Sequence, residues 1–528
     1  MVAREMAVSP RTWRLRVAPW AVAVAVSLLA AVLLVRQLTV PEYLEIYDSG
    51  VYFGAAIHLL SGAMPYRDFT FVQPPGIVVL LAPAALVWRV VGPHAGFYAA
   101  RAMAALAAAA NAGLLAWLVR RWGRVAMAVA GVALVTLPVA IFSDISAKLE
   151  PFTTLFALLG AIALTGGPAA DPPSRRRLVV AGVLFGLAAS VKLVGLLPLG
   201  VAVLALAWTS RRRALTLAAS GVAALVAVCL PFFLAAPGAF LSQVIGSQFS
   251  RAGDRSDSLA VVVRLGALTG QSWFSLEKGF PWPYVAWALI VVVLVAGFWR
   301  ARRAQWRPLF LLATAVVTSA ALLAAPYAYV YYFYFTAPFL IAAVVIATAE
   351  LVRPLSGVVS RLRHSVRVLC AGVLLVAGLG VTYDLYWRAA NFNSVQSWAF
   401  GAYGPWIDQL DGWIPPGACV AYSEVGFGVY AGRLLSSHPN CPVLVDTYGE
   451  WLPYGVTPLN HPRHPAALER TWREVLGEVQ YAVLSMDPGR YPYGSANIPW
   501  TPALRSWFTV HYRLVHRGHY FLVFHHLA

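Results

Sequence analysis

A ladder of long apolar runs, separated by clusters of arginine, most constrains what this chain can become. Runs near 17–39, 124–142, 151–167, 214–235, 281–299, 308–325, 333–350 and 366–386 meet or approach the ~20 residues that a membrane-crossing helix needs. Between the runs stand "RTWRLR" (11–16), "RRWGR" (120–124), "SRRR" (174–177 and 210–213), "WRARRAQWR" (299–307) and "RLRHSVR" (361–367). The chain is 60% hydrophobic and only 12% charged, which argues against a soluble fold. Its net charge of +18 sits in those loops. It therefore reads as the arginine excess of cytoplasmic loops and a secondary affinity for anionic lipid, not as a nucleic-acid surface.

The charges also order the crossings. The run 17–39 is too long for a cleaved leader and reads as a retained anchor, with "RTWRLR" inside and the next stretch outside. Two runs, 75–91 and 95–119, lie between that outer stretch and "RRWGR", where the loops demand an odd number of crossings. The first run is short and contains Pro83, so it is expected to break there and to lie re-entrant or interfacial. Residues 178–208 begin and end beside arginines and are expected to form a hairpin turning near Lys192. A rival scheme counts each run once but places both early arginine clusters outside, against the charge rule. Either scheme gives about eleven crossings.

From about residue 391 the composition changes to turn-forming Pro and Gly with short alternating stretches. "ACVAYS" (418–423), "CPVLVD" (441–446), "YAVLSM" (481–486) and "YFLVFHH" (520–526) read as strands, 465–477 as a helix, and the His-rich 511–526 as a hairpin. The expected architecture is thus a polytopic α-helical membrane domain, 1–390, followed by an extracytoplasmic α/β domain, 391–528. Outside the cytoplasm, Cys419 and Cys441 could pair as a disulfide, while Cys229 and Cys370 lie in apolar spans. No metal-ligand spacing accompanies these cysteines or the histidines of 511–526.

Polar chemistry gathers in two outer loops, 40–75 and 143–151. The first contains "EIYDSGVYFGAAIHLLSGAMPYRDFTFVQPPG" (45–76). Residues 51–60 are spaced as a helix lying on the membrane surface. Asp48 precedes them in the position of an N-cap, amid Glu45 and Tyr43, Tyr47 and Tyr52. The second loop, "SDISAKLEPF" (143–152), offers Asp144, Lys148 and Glu150, and reads either as a solvated loop with a local Lys–Glu pair or as a site. Lys192 is a charge at the membrane that either snorkels or serves a bound anion. The aromatics of "PYAYVYYFYFTAPF" (326–339) read first as an interfacial belt and second as a groove for a sugar or a polyprenyl chain.

An acid soon after the first span, a helix, "YRDF", and then "PPG" opening an apolar run together resemble the GT-C superfamily of membrane glycosyltransferases. The likeness is nearest to family 39, the protein O-mannosyltransferase-like enzymes and the lipid A aminoarabinose transferase, over residues 10–350. The resemblance implies an enzyme that moves a mannose- or arabinose-type sugar from a polyprenyl-phosphate donor to a cell-envelope glycan, lipid or protein acceptor on the outer face. It makes Asp48 the catalytic base, with Ser49 where many relatives carry a second acid. It puts Gln73 where the aminoarabinose transferase has a phosphate-binding lysine, leaving Arg67 and Lys148 as substitute cations. Glu45, Asp68, Asp144, Glu150 and Lys192 complete the expected substrate-binding set. No Asp-X-Asp spacing stands in the second loop, so the reading favours chemistry without a metal or other cofactor. The competing classes are a transporter or flippase for a lipid-linked precursor, and a non-catalytic receptor acting through the tail.

Overall fold

The computed structural model describes residues 18–38, 47–167, 171–250, 261–269, 282–300, 306–325, 328–353, 406–454, 466–485, 498 and 500–527. Its first ten helices are α1 (Pro19–Leu38), α2 (Tyr47–Leu60), α3 (Gly76–Val90), α4 (Pro93–Leu118), α5 (Arg124–Val135), α6 (Pro138–Asp144), α7 (Leu149–Thr165), α8 (Arg175–Val191), α9 (Leu196–Ala207) and α10 (Arg211–Ala235). The helices Trp282–Arg300, Trp306–Ala324 and Ala337–Val352 follow. Among the described residues, α4, α10 and Trp306–Ala324 are long and apolar enough to cross a membrane, and several shorter apolar helices accompany them. The chain is a membrane protein of mainly helical architecture. The expected span 366–386 and the domain boundary near 391 lie outside the described residues.

Small residues let these helices approach closely. The face of α4 that packs on α1 and α7 is largely alanine, and a Cβ on Gly113 would lie 2.0 Å from the Ser27 hydroxyl. In lipid, where apolar faces gain little from leaving the solvent, such close backbone contact supplies much of the association.

The bundle has two chemically distinct ends. At one end, α7 runs out of partners for its last carbonyl groups, and guanidinium groups supply them. Arg177 donates to the Ala163 oxygen at 2.9 Å, Arg120 to the Gly166 oxygen at 3.3 Å and Arg307 to the Gly167 oxygen at 2.8 Å. Three arginine clusters distant in sequence therefore share one end, as the charge ladder requires. At the other end, α8 and α9 meet in a tight turn through 192–195, which is the hairpin expected at Lys192.

The short run after the first loop behaves differently from expectation in one respect. Pro83 does not break it, for α3 continues from Gly76 to Val90 with Pro83 inside. Both ends of α3 nevertheless stay with the elements of the Lys192 end. Gly76 packs on Ser190, and the Trp88 indole donates to the Val429 carbonyl in the tail at 2.8 Å.

The tail forms a four-stranded sheet of β1 (Val420–Tyr422), β2 (Tyr481–Ser485), β3 (Tyr512–Arg517) and β4 (Phe521–His526), in the order β1-β2-β4-β3. β1 and β2 are parallel and the other pairs antiparallel. Side chains alternate across the sheet. Ala482, Leu484, Leu522 and Phe524 face helices Ala466–Glu478 and Pro502–His511, whereas Val483, Phe521 and Val523 join the core that contains α2. Both faces are covered, which is why β4 reads as a nearly unbroken apolar run.

Two local expectations are corrected. Residues 441–446 pair with no strand among the described residues. Pro442 removes one ladder donor, Cys441 is held to Cys419 by a disulfide with Cα atoms 5.5 Å apart, and Asp446 turns the chain. The helix expected on the membrane surface is a buried strut, with every residue from Ser49 to His58 shielded. Its glycines permit this, because helix Gly426–Ala431 of the tail lies so close that a Cβ on Gly50 would stand 2.4 Å from the Gly426 nitrogen.

Candidate functional site

Four charged side chains from three chain segments converge at the Lys192 end of the bundle. Asp48 comes from the first turn of α2, Lys148 and Glu150 from the start of α7, and Lys192 from the α8–α9 turn. The Lys148 ammonium lies 2.5 Å from Asp48 Oδ2, and the Lys192 ammonium 2.6 Å from Glu150 Oε1. Lys148 and Glu150 are almost completely shielded, at 2% and 1% side-chain exposure, while Asp48 and Lys192 keep 17% and 14%. The two pairs thus form a sunken charged layer whose wetter members are one acid and one base. Each lysine also faces a tyrosine ring. Lys148 Nζ sits 3.8 Å from the Tyr331 centroid and Lys192 Nζ 3.5 Å from that of Tyr332, and the two rings meet edge to face. Ring faces attract ammonium groups and fix them without neutralising them.

Burial opposes ionisation of Asp48, yet Lys148, the Tyr331 hydroxyl and the nearby Lys192 together hold its carboxyl below the ordinary range. Its backbone is held from two sides. The Ser49 hydroxyl accepts a hydrogen bond from the Ala147 amide at 3.1 Å, joining the two loops. On the other side, the Tyr47 hydroxyl donates to Asp446 Oδ1 at 3.1 Å and accepts from the Tyr448 amide at 2.8 Å. The tail therefore clamps the turn that carries Asp48. Beside this clamp, Glu450 is pushed up to about 7 by burial, with a hydrogen bond to Thr70 working against that rise and the Asp446 charge adding to it.

This arrangement belongs to a known fold. The model of glycosyltransferase family 87 matches residues 71–326, just under half of the chain. The structure of ArnT from Cupriavidus metallidurans bound to undecaprenyl phosphate superposes with a TM-score of 0.60 at 19% identity, covering 96% of this chain and 97% of that one. The Archaeoglobus fulgidus oligosaccharyltransferase tethered to an acceptor peptide gives 0.53 at 14% identity, over 88% of this chain and 69% of the other. No curated protein matches by sequence. The chain therefore shares the fold of these membrane glycosyltransferases, and the middle of it matches a glycosyltransferase family model.

That fold is the one implied by the resemblance of the opening loop. The matching family model within it is family 87, where the residue order was nearest to family 39. Of the residues expected at the site, Asp48, Lys148, Glu150 and Lys192 are brought together. Asp48 is not an N-cap but lies inside α2 with its carboxylate on Lys148. Lys148 and Glu150 do not form a local pair, since each reaches a different segment. Lys192 turns inward to Glu150 instead of snorkelling. Asp144 is buried one layer deeper, hydrogen-bonded to Tyr334. Gln73 is buried at the "PPG" step, and its carbonyl accepts from the Tyr66 hydroxyl at 2.6 Å.

Arg67 and Asp68 are not part of the charged layer. They pair with each other at 2.7 Å in an exposed turn, where Asp68 also accepts from the Met64 amide. The rest of α2 beyond Asp48, roughly 18 Å of helix, and the turn after it separate them from Asp48. Glu45 lies outside the described residues. Tyr331 and Tyr332, read first as a membrane belt, are the residues that sequence reasoning undervalued. Tyr47 was noted beside Asp48, but its bond to Asp446 was missed because nothing local announces a contact between residues 399 apart. Among the described residues, no three His, Cys, Asp or Glu side chains gather as a metal set.

Proposed function

We propose that this chain is a GT-C enzyme that transfers a mannose- or arabinose-type sugar from a polyprenyl-phosphate carrier to a hydroxyl of a cell-envelope acceptor. The arginine-capped end of the bundle faces the cytoplasm under the charge rule, which puts the lysine–carboxylate layer and the tail on the outer side. One observation carries the reading: two buried Lys–carboxylate pairs lie side by side beneath two tyrosine rings at that end. The ArnT relative was solved with undecaprenyl phosphate, which supports a lipid phosphate as the anion these lysines serve.

The chemistry follows from the pairs. In the resting site each ammonium is neutralised by a carboxylate. A donor phosphate entering the layer competes for Lys192 and Lys148, and the tyrosine faces keep both ammonium groups in place as their carboxylates let go. Asp48, released from Lys148, becomes more basic and accepts the proton of the acceptor hydroxyl as that oxygen attacks the anomeric carbon. The bond from that carbon to the phosphate oxygen breaks with its electron pair on the phosphate. The growing charge meets the lysines, which act where other enzymes use a divalent cation. A single displacement inverts the anomeric centre.

The test is transfer from a labelled polyprenyl-phosphate sugar by purified protein in detergent. Asp48→Asn is expected to remain folded and to lose on the order of 10²–10⁴ in turnover. Near-normal transfer by that variant overturns the assignment.

A further inference from the structure

Next to the charged layer lie polar side chains that the mechanism leaves unused, together with the free oxygen of Glu150. The Asn111 amide nitrogen donates to the Pro151 carbonyl at 2.9 Å and to the Tyr334 hydroxyl at 3.1 Å, and that hydroxyl donates to Asp144. Asn111, Asp144, Glu150 and Thr154 are each at most 3% exposed. Four of their atoms have no hydrogen-bond partner: Asn111 Oδ1, Asp144 Oδ1, Glu150 Oε2 and Thr154 Oγ1. Asn111 Oδ1 and the oxygen of the Lys192-paired Glu150 are acceptors, whereas the buried Asp144 carboxyl and the Thr154 hydroxyl accept or donate according to where the proton sits. Thr154 stands one helical turn beyond Glu150 on the same face of α7, and the Glu150 charge is felt at Tyr334.

Buried polar atoms are normally paired, and a group of unpaired acceptors calls for a ligand rich in donors. Free sugar hydroxyls supply them. The position says which sugar. Glu150 holds Lys192 with one oxygen and leaves the other unpartnered, so a ring attached to a phosphate at Lys192 would come to the Glu150 side of the layer. The acceptor hydroxyl must instead come to Asp48, on the Lys148 side.

We infer that Asn111, Asp144, Glu150 and Thr154 form the subsite that reads the hydroxyls of the donor sugar, a neutral polyhydroxylated ring. The inference rests on the sugar-transfer reading and gives that site its specificity layer. Asn111 and Tyr334 hold Asp144 in place, while the free oxygens take hydrogen bonds from the ring.

The experiment compares binding of a short-chain polyprenyl phosphate with that of the corresponding polyprenyl phosphomannose to the full chain in detergent. Asp144→Asn is expected to weaken the sugar-bearing ligand by on the order of ten- to a hundredfold and to leave the bare phosphate unchanged. Thr154→Val removes a hydroxyl that makes no bond in the fold. It is expected to keep the unfolding temperature and still lose about fivefold on the sugar-bearing ligand alone. Equal losses on both ligands, or full retention of the preference for the sugar-bearing lipid, overturn the subsite and leave sugar transfer standing. A wild-type chain that binds neither ligand sinks both readings.

Discussion

Replacing Lys148 by methionine tests whether the charged layer is one coupled unit. The substitution keeps most of the length of the side chain and removes the charge that lies 2.5 Å from Asp48. Breaking a buried ion pair by deleting one partner costs about 3–5 kcal/mol, because the other charge stays buried without its counterpart. Asp48 retains 17% exposure, so the expected loss is at the low end, about 3 kcal/mol. Asp48→Asn leaves the more deeply buried Lys148 opposite a neutral amide and is expected to cost roughly the same. The double variant replaces both charges together and is expected to lose far less than the sum, with a coupling of about 2–4 kcal/mol. Denaturant unfolding of the four proteins in one detergent measures the cycle. Losses that add to within about 0.5 kcal/mol would refute a coupled pair. The pH dependence gives a second check. Lys148 and its neighbours hold the Asp48 carboxyl below its ordinary range, so the contribution of the pair is complete above the unfolded value. It fades only as pH falls below about 4. In Lys148→Met, burial, already the largest single influence on Asp48, loses its main opponent, the pKa rises, and the acid limb of the transfer profile moves to higher pH.

Two further outcomes concern the tail. Gly50→Ala places a methyl 2.4 Å from the Gly426 nitrogen, where neither backbone can yield cheaply. It is expected to unseat helix Gly426–Ala431 from α2 and to cost about 1–3 kcal/mol with a large fall in transfer, read by limited proteolysis of the tail and by the labelled-sugar assay. Glu450 is raised to about 7 in the folded chain, so the native state holds a proton that the unfolded chain releases near its ordinary value. Stability should therefore decline as pH rises from about 4.5 to 7, and Glu450→Gln should abolish that slope in thermal unfolding at pH 5 and pH 8.

The legible parts of this protein were those written in neighbouring residues. Apolar runs of membrane-crossing length fixed the class, and arginine clusters ordered the loops. A lysine centred in 178–208 marked the hairpin that α8 and α9 make. In the tail, alternation located β1, β2 and β4, and it failed at 441–446, where a disulfide and a proline hold an extended segment off the sheet. Helix spacing also found α2, but not its burial, because the partner that covers it begins more than 370 residues later. Acids and lysines of the two loops could be named as candidates, and the resemblance to GT-C enzymes selected Asp48 among them.

Which acid meets which base was decided only by the tertiary structure. Asp48 and Lys148 are 100 residues apart, Glu150 and Lys192 are 42 apart, and the Tyr47–Asp446 bond closes a gap of 399. Periodicity and loop charge act over a few residues and say whether a segment enters lipid and which face it turns inward. A buried ion pair depends on the packing of several helices at once. The sequence alone could therefore list the charges at this end of the bundle, but only the assembled fold joined them into two pairs under a tyrosine roof.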